Sequence, residues 1–214
     1  MYQPRHFAQD DPQALRALLD AHPFATLVST GEGGLTADHL PFVFDPDDGP
    51  QGALHGHVAR ANPVWQRADG QPVLAVFQGL QAYVSPNWYP SKAEHHKVVP
   101  TWNYTVVHAH GVLRAVTDAD WLRSLVGRLT TRHEAGRERP WSIDEAPPDY
   151  LAQMLKAIVG VRIELTQLVG KWKLSQNRSE ADRAGVADGL AADGAEAMAA
   201  LIRPAVRPPP GLAR

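Results

Sequence analysis

A chain of 214 residues with 44% hydrophobic and 21% charged content is long enough to bury a sizeable core, which excludes wholesale disorder. Its formal charge of -2 argues against duplex DNA as the main partner, because clustered Lys and Arg supply much of such affinity. The lack of cysteine removes disulfides, thiolate nucleophiles and sulfur-ligated metals, and no signal-type or membrane-length apolar run is present, so a cytoplasmic protein is expected.

Asp11-Pro12 starts a first helix, with Asp as N-cap and Pro at the first helical position; Leu15, Leu18 and Leu19 form its apolar face up to His22-Pro23. FATLVST, GEGG and LTADHLPFVF then read as two strands about a Gly-rich turn, and PDDGPQG leads into a third, ALHGHV. VLAVFQGLQAYVS and TWNYTVVHAHGVLRAV are further strands, the second with room for a bend at Gly111. Thr117 or Asp118 caps a helix whose Trp121, Leu122, Leu125, Val126 and Leu129 share one face.

EAGRERPWSIDEAPP reads as a loop, DYLAQMLKAI as a short helix ended by Gly160, and VGVRIELTQLVGKWKLSQN as a strand, a Gly break and a second strand. Ser179 and Asp182 form a capping pair for another helix, and an Ala-rich helix stops at Pro204. The order predicts a mainly β chain with peripheral helices (α+β), an antiparallel barrel in one domain over 1–203, with 204–214 as a Pro-rich flexible tail.

Neither a dinucleotide fingerprint, a P-loop, a nucleophile elbow nor an HExxH motif occurs, which leaves parallel nucleotide folds and common hydrolases without a starting residue. His55 with His57, and His108 with His110, stand two apart on strands and so share a face, a spacing that suits a metal but lacks a matching carboxylate. His95-His96 lies in a loop and reads as solvated. In HVARANPVW, the turn Arg60, Ala61, Asn62 presents a cation, an amide and small-residue backbone that can meet phosphate oxygens; an ordinary Asn-Pro turn is the competing reading.

GKWKLSQNRSEADR sets Lys171 and Lys173 about Trp172, with Ser175, Gln176, Asn177 and Arg178 behind. Such a cluster serves a single-stranded nucleic acid or a flat phosphorylated cofactor. SPNWYPSKAEHHKVVPTWNY, residues 85 to 104, adds flat surface. Trp88, Tyr89, Trp102, Asn103 and Tyr104 can shelter an isoalloxazine ring and meet its polar edge, or pack a barrel end or dimer interface.

HLPF, HVARANPVW, YVSPNWYPSK, VPTWNY and GKWKLSQNRSEADRAGV together resemble the PaiB family of FMN-binding negative transcriptional regulators, from the amino terminus to about Ile202. The resemblance implies an FMN-binding split barrel, a homodimer with FMN between subunits, and cofactor contacts from His57, Arg60, Ala61, Asn62, Trp88, Lys92, Trp102, Asn103, Lys171, Lys173, Gln176 and Asn177. Within it, Arg60 to Asn62 would approach the phosphate and Lys171 to Asn177 would complete the pocket. Asn87 departs from the family's commoner S-P-S-W-Y.

No helix-turn-helix with a basic recognition helix is visible, so direct DNA binding is not expected, and regulation through another protein or a flavin redox signal is. The alternative is an FMN-dependent oxidoreductase using NAD(P)H. Haem is a further ligand class, with His39, His57, His108 and His110 as candidates.

Overall fold

The computed structural model describes residues 1–31 and 33–203, so the expected Pro-rich tail at 204–214 lies outside the described residues. Eight strands, β1 (Ala8–Gln9), β2 (Phe24–Gly31), β3 (Gly34–Pro41), β4 (Val43–Asp45), β5 (Ala53–Ala59), β6 (Pro72–Val84), β7 (Thr101–Val116) and β8 (Ile158–Lys173), form one sheet. Its order is β3-β2-β6-β7-β8-β5-β4, with β1 paired to β8. The predicted hairpin is present, with antiparallel register from Phe24 opposite Pro41 to Gly31 opposite Gly34. Antiparallel pairing also joins β2 to β6, β4 to β5 and β5 to β8.

The chain divides into two compact units, described separately. The first comprises Met1 with residues 9–78 and 106–170. Helix α1 (Pro12–Ala21) starts as the sequence predicts, Asp11 accepting the Gln13 N–H at 3.0 Å, and buries Leu15, Leu18 and Leu19. The sheet core contains Leu27, Leu54, Phe77, Leu113 and Ile163, all fully buried. β3 comes alongside β5, where Gly56 lets Phe42 approach: a Cβ there would lie 3.0 Å from that ring. This curl turns an open sheet toward a barrel.

After the one-turn helices α2 (Val64–Arg67) and α3 (Lys92–His95), helix α4 (Ala119–Glu134) is capped by Asp118, which accepts the Trp121 N–H at 2.8 Å, and it packs on β5 with Leu122 and Leu125 buried. Gly160 does not end a helix. Helix α5 (Pro148–Lys156) stops earlier, and Gly160 belongs to β8, where a Cβ would sit 2.3 Å from the Trp121 ring. Neither does Gly170 break the final strand, since β8 runs without interruption through Lys173. Gly111 likewise lies inside β7, and its missing Cβ is what allows β7 to approach the Glu164 carbonyl. At Gly160 and Gly111 the glycine answers a neighbour.

The second unit comprises residues 2–8, 79–105 and 171 onward. Its core joins Val84, Tyr89 and Leu174 to Val186, Leu190, Met198 and Ile202 from helices α6 (Glu180–Ala192) and α7 (Glu196–Ile202). Ser179 caps α6 by accepting the Asp182 N–H at 3.2 Å, and the Asp182 carboxylate accepts from Ser91 N–H at 3.1 Å and Ser91 Oγ–H at 2.9 Å. Burial opposes ionisation of Asp182, but these bonds win and hold its pKa below the usual carboxylate value. The segment ahead of β7 that carries His95-His96, expected as a loop, contains a short 3-10 turn at Pro86–Trp88 and a one-turn helix, Lys92–His95.

Candidate functional site

Side-chain alternation along β6, β7 and β8 gives the second unit two unlike faces. One side carries Val84 and Trp172 onto the α6 and α7 core. The other carries Tyr83, Trp102, Tyr104, Lys171 and Lys173. The Trp102 ring is 54% exposed and meets Tyr83, itself exposed, edge-on at 6.0 Å between centroids.

Lys171 is only 7% exposed; its Nζ donates to the Tyr2 carbonyl at 3.0 Å and lies 5.6 Å and 5.4 Å from the Tyr2 and Tyr104 ring centroids. Lys173 Nζ donates to Thr101 Oγ1 and to the Trp102 carbonyl, each at 2.5 Å. Among the described residues neither lysine has a carboxylate partner. Burial, then the charges of Lys171 and Arg178, push the Lys173 pKa below its ordinary value. Arg178 stacks over the Tyr89 ring at 4.8 Å.

The remaining predicted residues of this unit are spent on structure to different degrees. Asn103 is fully buried and donates through Nδ2 to Ser175 Oγ at 3.0 Å, with Ser175 held in the left-handed region at φ 63°. Gln176 accepts from Leu174 N–H at 2.7 Å and donates to the Trp172 carbonyl at 2.6 Å, closing the turn after β8. Asn177 lines an open cavity of about 550 Å³ with Ser91, His95, Lys97 and Arg178. Lys92 donates to Asn87 Oδ1 at 2.5 Å. Trp88 lies on the backbone of α6, where Cβ atoms at Gly185 and Gly189 would come within 2.1 Å of its carbonyl oxygen and 2.3 Å of its ring.

The other predicted residues belong to the first unit. Arg60 donates through Nε to the Lys156 carbonyl at 2.7 Å and through Nη2 to the Ile158 carbonyl at 2.9 Å. Asn62 donates to Asp38 Oδ1 at 2.6 Å and accepts the Val64 N–H at 2.9 Å. Both side chains thus tie the turn down, with Ala61 exposed between them. His57 is half-buried with an unpartnered Nδ1, and burial lowers its pKa; the same holds for His108.

A cluster that the sequence does not announce lies beneath them. His55 is buried; it donates from Nε2 to Asp48 Oδ2 at 2.7 Å, and its Nδ1 receives Arg128 Nη2 at 2.6 Å. A guanidinium only donates, which fixes this tautomer. Arg162 holds the same Asp48 with two bonds of 2.7 Å and 2.6 Å, and Arg128 pairs with Asp45 at 3.0 Å. Arg162 keeps the Asp48 carboxyl well below the usual range, while burial, against the pull of Asp48, lowers the His55 pKa. The predicted His55 and His57 pair therefore splits into a network member and a lone ring. Among the described residues no group of three or more His, Asp or Glu is arranged to hold a metal.

The donor set on the aromatic face fits a flavin mononucleotide: uncompensated cations for a phosphate dianion, and exposed rings for a flat tricycle. The family model described as "Putative FMN-binding domain" matches residues 1–167. Protease synthase and sporulation protein PAI 2 of Bacillus subtilis is 34% identical over 191 residues, covering 89% of each chain. An uncharacterized protein of Emericella nidulans is 30% identical over 242 residues, covering 95% of this chain and 96% of its own. The flavocytochrome Anf3 of Azotobacter vinelandii superposes with a TM-score of 0.60 at 17% identity, over 86% of this chain and 78% of that one. The last likeness shows the split-barrel fold, and the relatives show a lineage present in bacteria and fungi. The chain belongs to the FMN-binding split-barrel family that includes PAI 2.

Proposed function

We propose that the chain holds FMN against the aromatic face of its second unit and acts in negative regulation through another protein or through the redox state of the flavin. The observation that carries this reading is the pair Lys171 and Lys173, which no carboxylate among the described residues neutralises, beside the exposed Trp102 and Tyr83. Lys171, Lys173 and Arg178 hold the phosphate, and Trp102 and Tyr83 flank the ring. The bound flavin supplies one- and two-electron chemistry, and the protein's part is to bind, orient and shield it. The regulatory role draws on the sporulation context in the name of PAI 2 and on the lack of any basic recognition helix in the sequence. Two copies sharing the aromatic face form the proposed homodimer.

Purified protein titrated with FMN should quench the flavin's fluorescence at one FMN per chain and elute as a dimer in light-scattering chromatography. Protein that leaves the fluorescence unchanged overturns the reading. Rapid anaerobic bleaching by NADH or NADPH would instead assign a reductase, and a salt-dependent shift of duplex DNA would assign direct repression.

A further inference from the structure

We propose that residues 2–4 form a strap that closes over Lys171 and must lift before an anion reaches it, so that filling the site displaces the strap. That the anion is the FMN phosphate rests on the reading above. Lys171 is 7% exposed, although it lies on the face that carries the exposed Trp102 and Tyr83. Part of its cover is Tyr2, whose carbonyl accepts from Nζ at 3.0 Å and whose ring centroid lies 5.6 Å from it, within range of a cation–π contact. The strap has no regular secondary structure, and Tyr2 is itself 83% exposed, so its side chain adds little packing. Anchorage begins further on. Phe7 is buried and donates its N–H to the Pro4 carbonyl at 2.9 Å, and β1 then pairs with β8, which leaves Pro4 as the hinge.

Lifting the strap does not strand its carbonyl, because Tyr2 is already at the surface and the oxygen passes from an ammonium to water. A phosphate dianion brings a full charge to Lys171 where the carbonyl brought a dipole, and shelter from water enlarges that difference. The anion therefore displaces the strap. With no anion present the closed strap shields the cation, and it lowers apparent affinity by the fraction of chains that stand open. Flavin occupancy thus becomes a change in the position of an exposed segment, which is a form another protein can read.

A chain lacking residues 2–4 is compared with the full chain. Flavin-free samples are labelled with acetic anhydride and mapped by peptide mass spectrometry, with the exposed Lys97 as reference. Labelling of Lys171 relative to Lys97 should rise at least about tenfold on deletion. FMN titrated by fluorescence should bind the shortened chain at least about threefold more tightly. Tyr2→Gly, which should move both readouts the same way by less, carries the test if the shortened chain unfolds at lower urea. Unchanged labelling of Lys171 overturns the strap. Weaker FMN binding by the shortened chain overturns its displacement, since residues 2–4 would then belong to the site. A rise in labelling while neither chain binds FMN upholds the strap and removes the flavin reading, so the two fail separately.

Discussion

The two units treat buried charge in opposite ways. In the first, Asp48 sits between His55 and Arg162, and Asp45 meets Arg128, so every cation of the cluster has an anion or an imidazole lone pair within hydrogen-bonding distance. In the second, Lys171 and Lys173 lean on two backbone carbonyls, a hydroxyl and aromatic faces. A closed cluster fixes β4, β5, β8 and α4 to one another and has nothing left to offer a ligand. An open one retains the full attraction for an anion, at a cost to stability that ligand binding offsets. The contrast separates residues that hold the fold from residues that wait for something.

Breaking the open cluster should give the largest effect. With charge-assisted bonds worth about 1.5–3 kcal/mol each, the Lys171→Ala, Lys173→Ala double variant should lose at least about 100-fold in FMN affinity, read by fluorescence titration. Its denaturation midpoint without FMN should stay equal or rise, because like charges have been removed. Next comes Trp88→Ala, which takes the indole off the α6 backbone and should cost about 2 kcal/mol in urea unfolding. Trp102→Ala should leave that midpoint in place and weaken FMN, so an equal stability loss for both tryptophans would erase the distinction drawn between them.

The closed cluster is sharpened by pH. His55 has its pKa lowered in the folded protein, so the unfolded chain binds its proton more readily once pH falls below the ordinary 6.5. Stability is therefore complete above that value and drops as pH falls through it, with His57 and His108 adding in the same direction. Protonation of Asp48 continues the loss at lower pH. Urea midpoints measured from about pH 7 to pH 5 should show this slope, and His55→Gln should flatten it. The smallest effect on ligand is expected at the Arg60 turn, where Asn62→Ala should change FMN affinity less than about threefold while weakening the Asp38 tie. A larger change would bring that turn back into the site.

Local chemistry was what the sequence made plain. Asp11 and Asp118 as caps, the hairpin about GEGG and the apolar stripe of α4 all follow from side chains acting on their own neighbours in the chain. Gly160 and Gly170 were misread because nothing local marks why they are glycine; the reason for the first is the Trp121 ring, as distant in sequence as the Glu164 carbonyl is from Gly111. Trp88 was expected to wall a flavin, yet a signal for its packing role was present in Gly185-Val-Ala-Asp-Gly189, two glycines one helical turn apart that leave a groove for a ring. The Asp45, Asp48, His55, Arg128 and Arg162 cluster spans strands and a helix far apart along the chain, so composition could not assemble it.

Lys171 reaches the backbone carbonyl of Tyr2, only one residue from the start of the chain as given. Whatever precedes that residue is thereby tethered to the buried Lys171. A purification handle fused ahead of Met1 should shift flavin loading in a way that one fused elsewhere does not, and comparing the two preparations turns an expression choice into a measurement of how firmly the first residues grip this lysine.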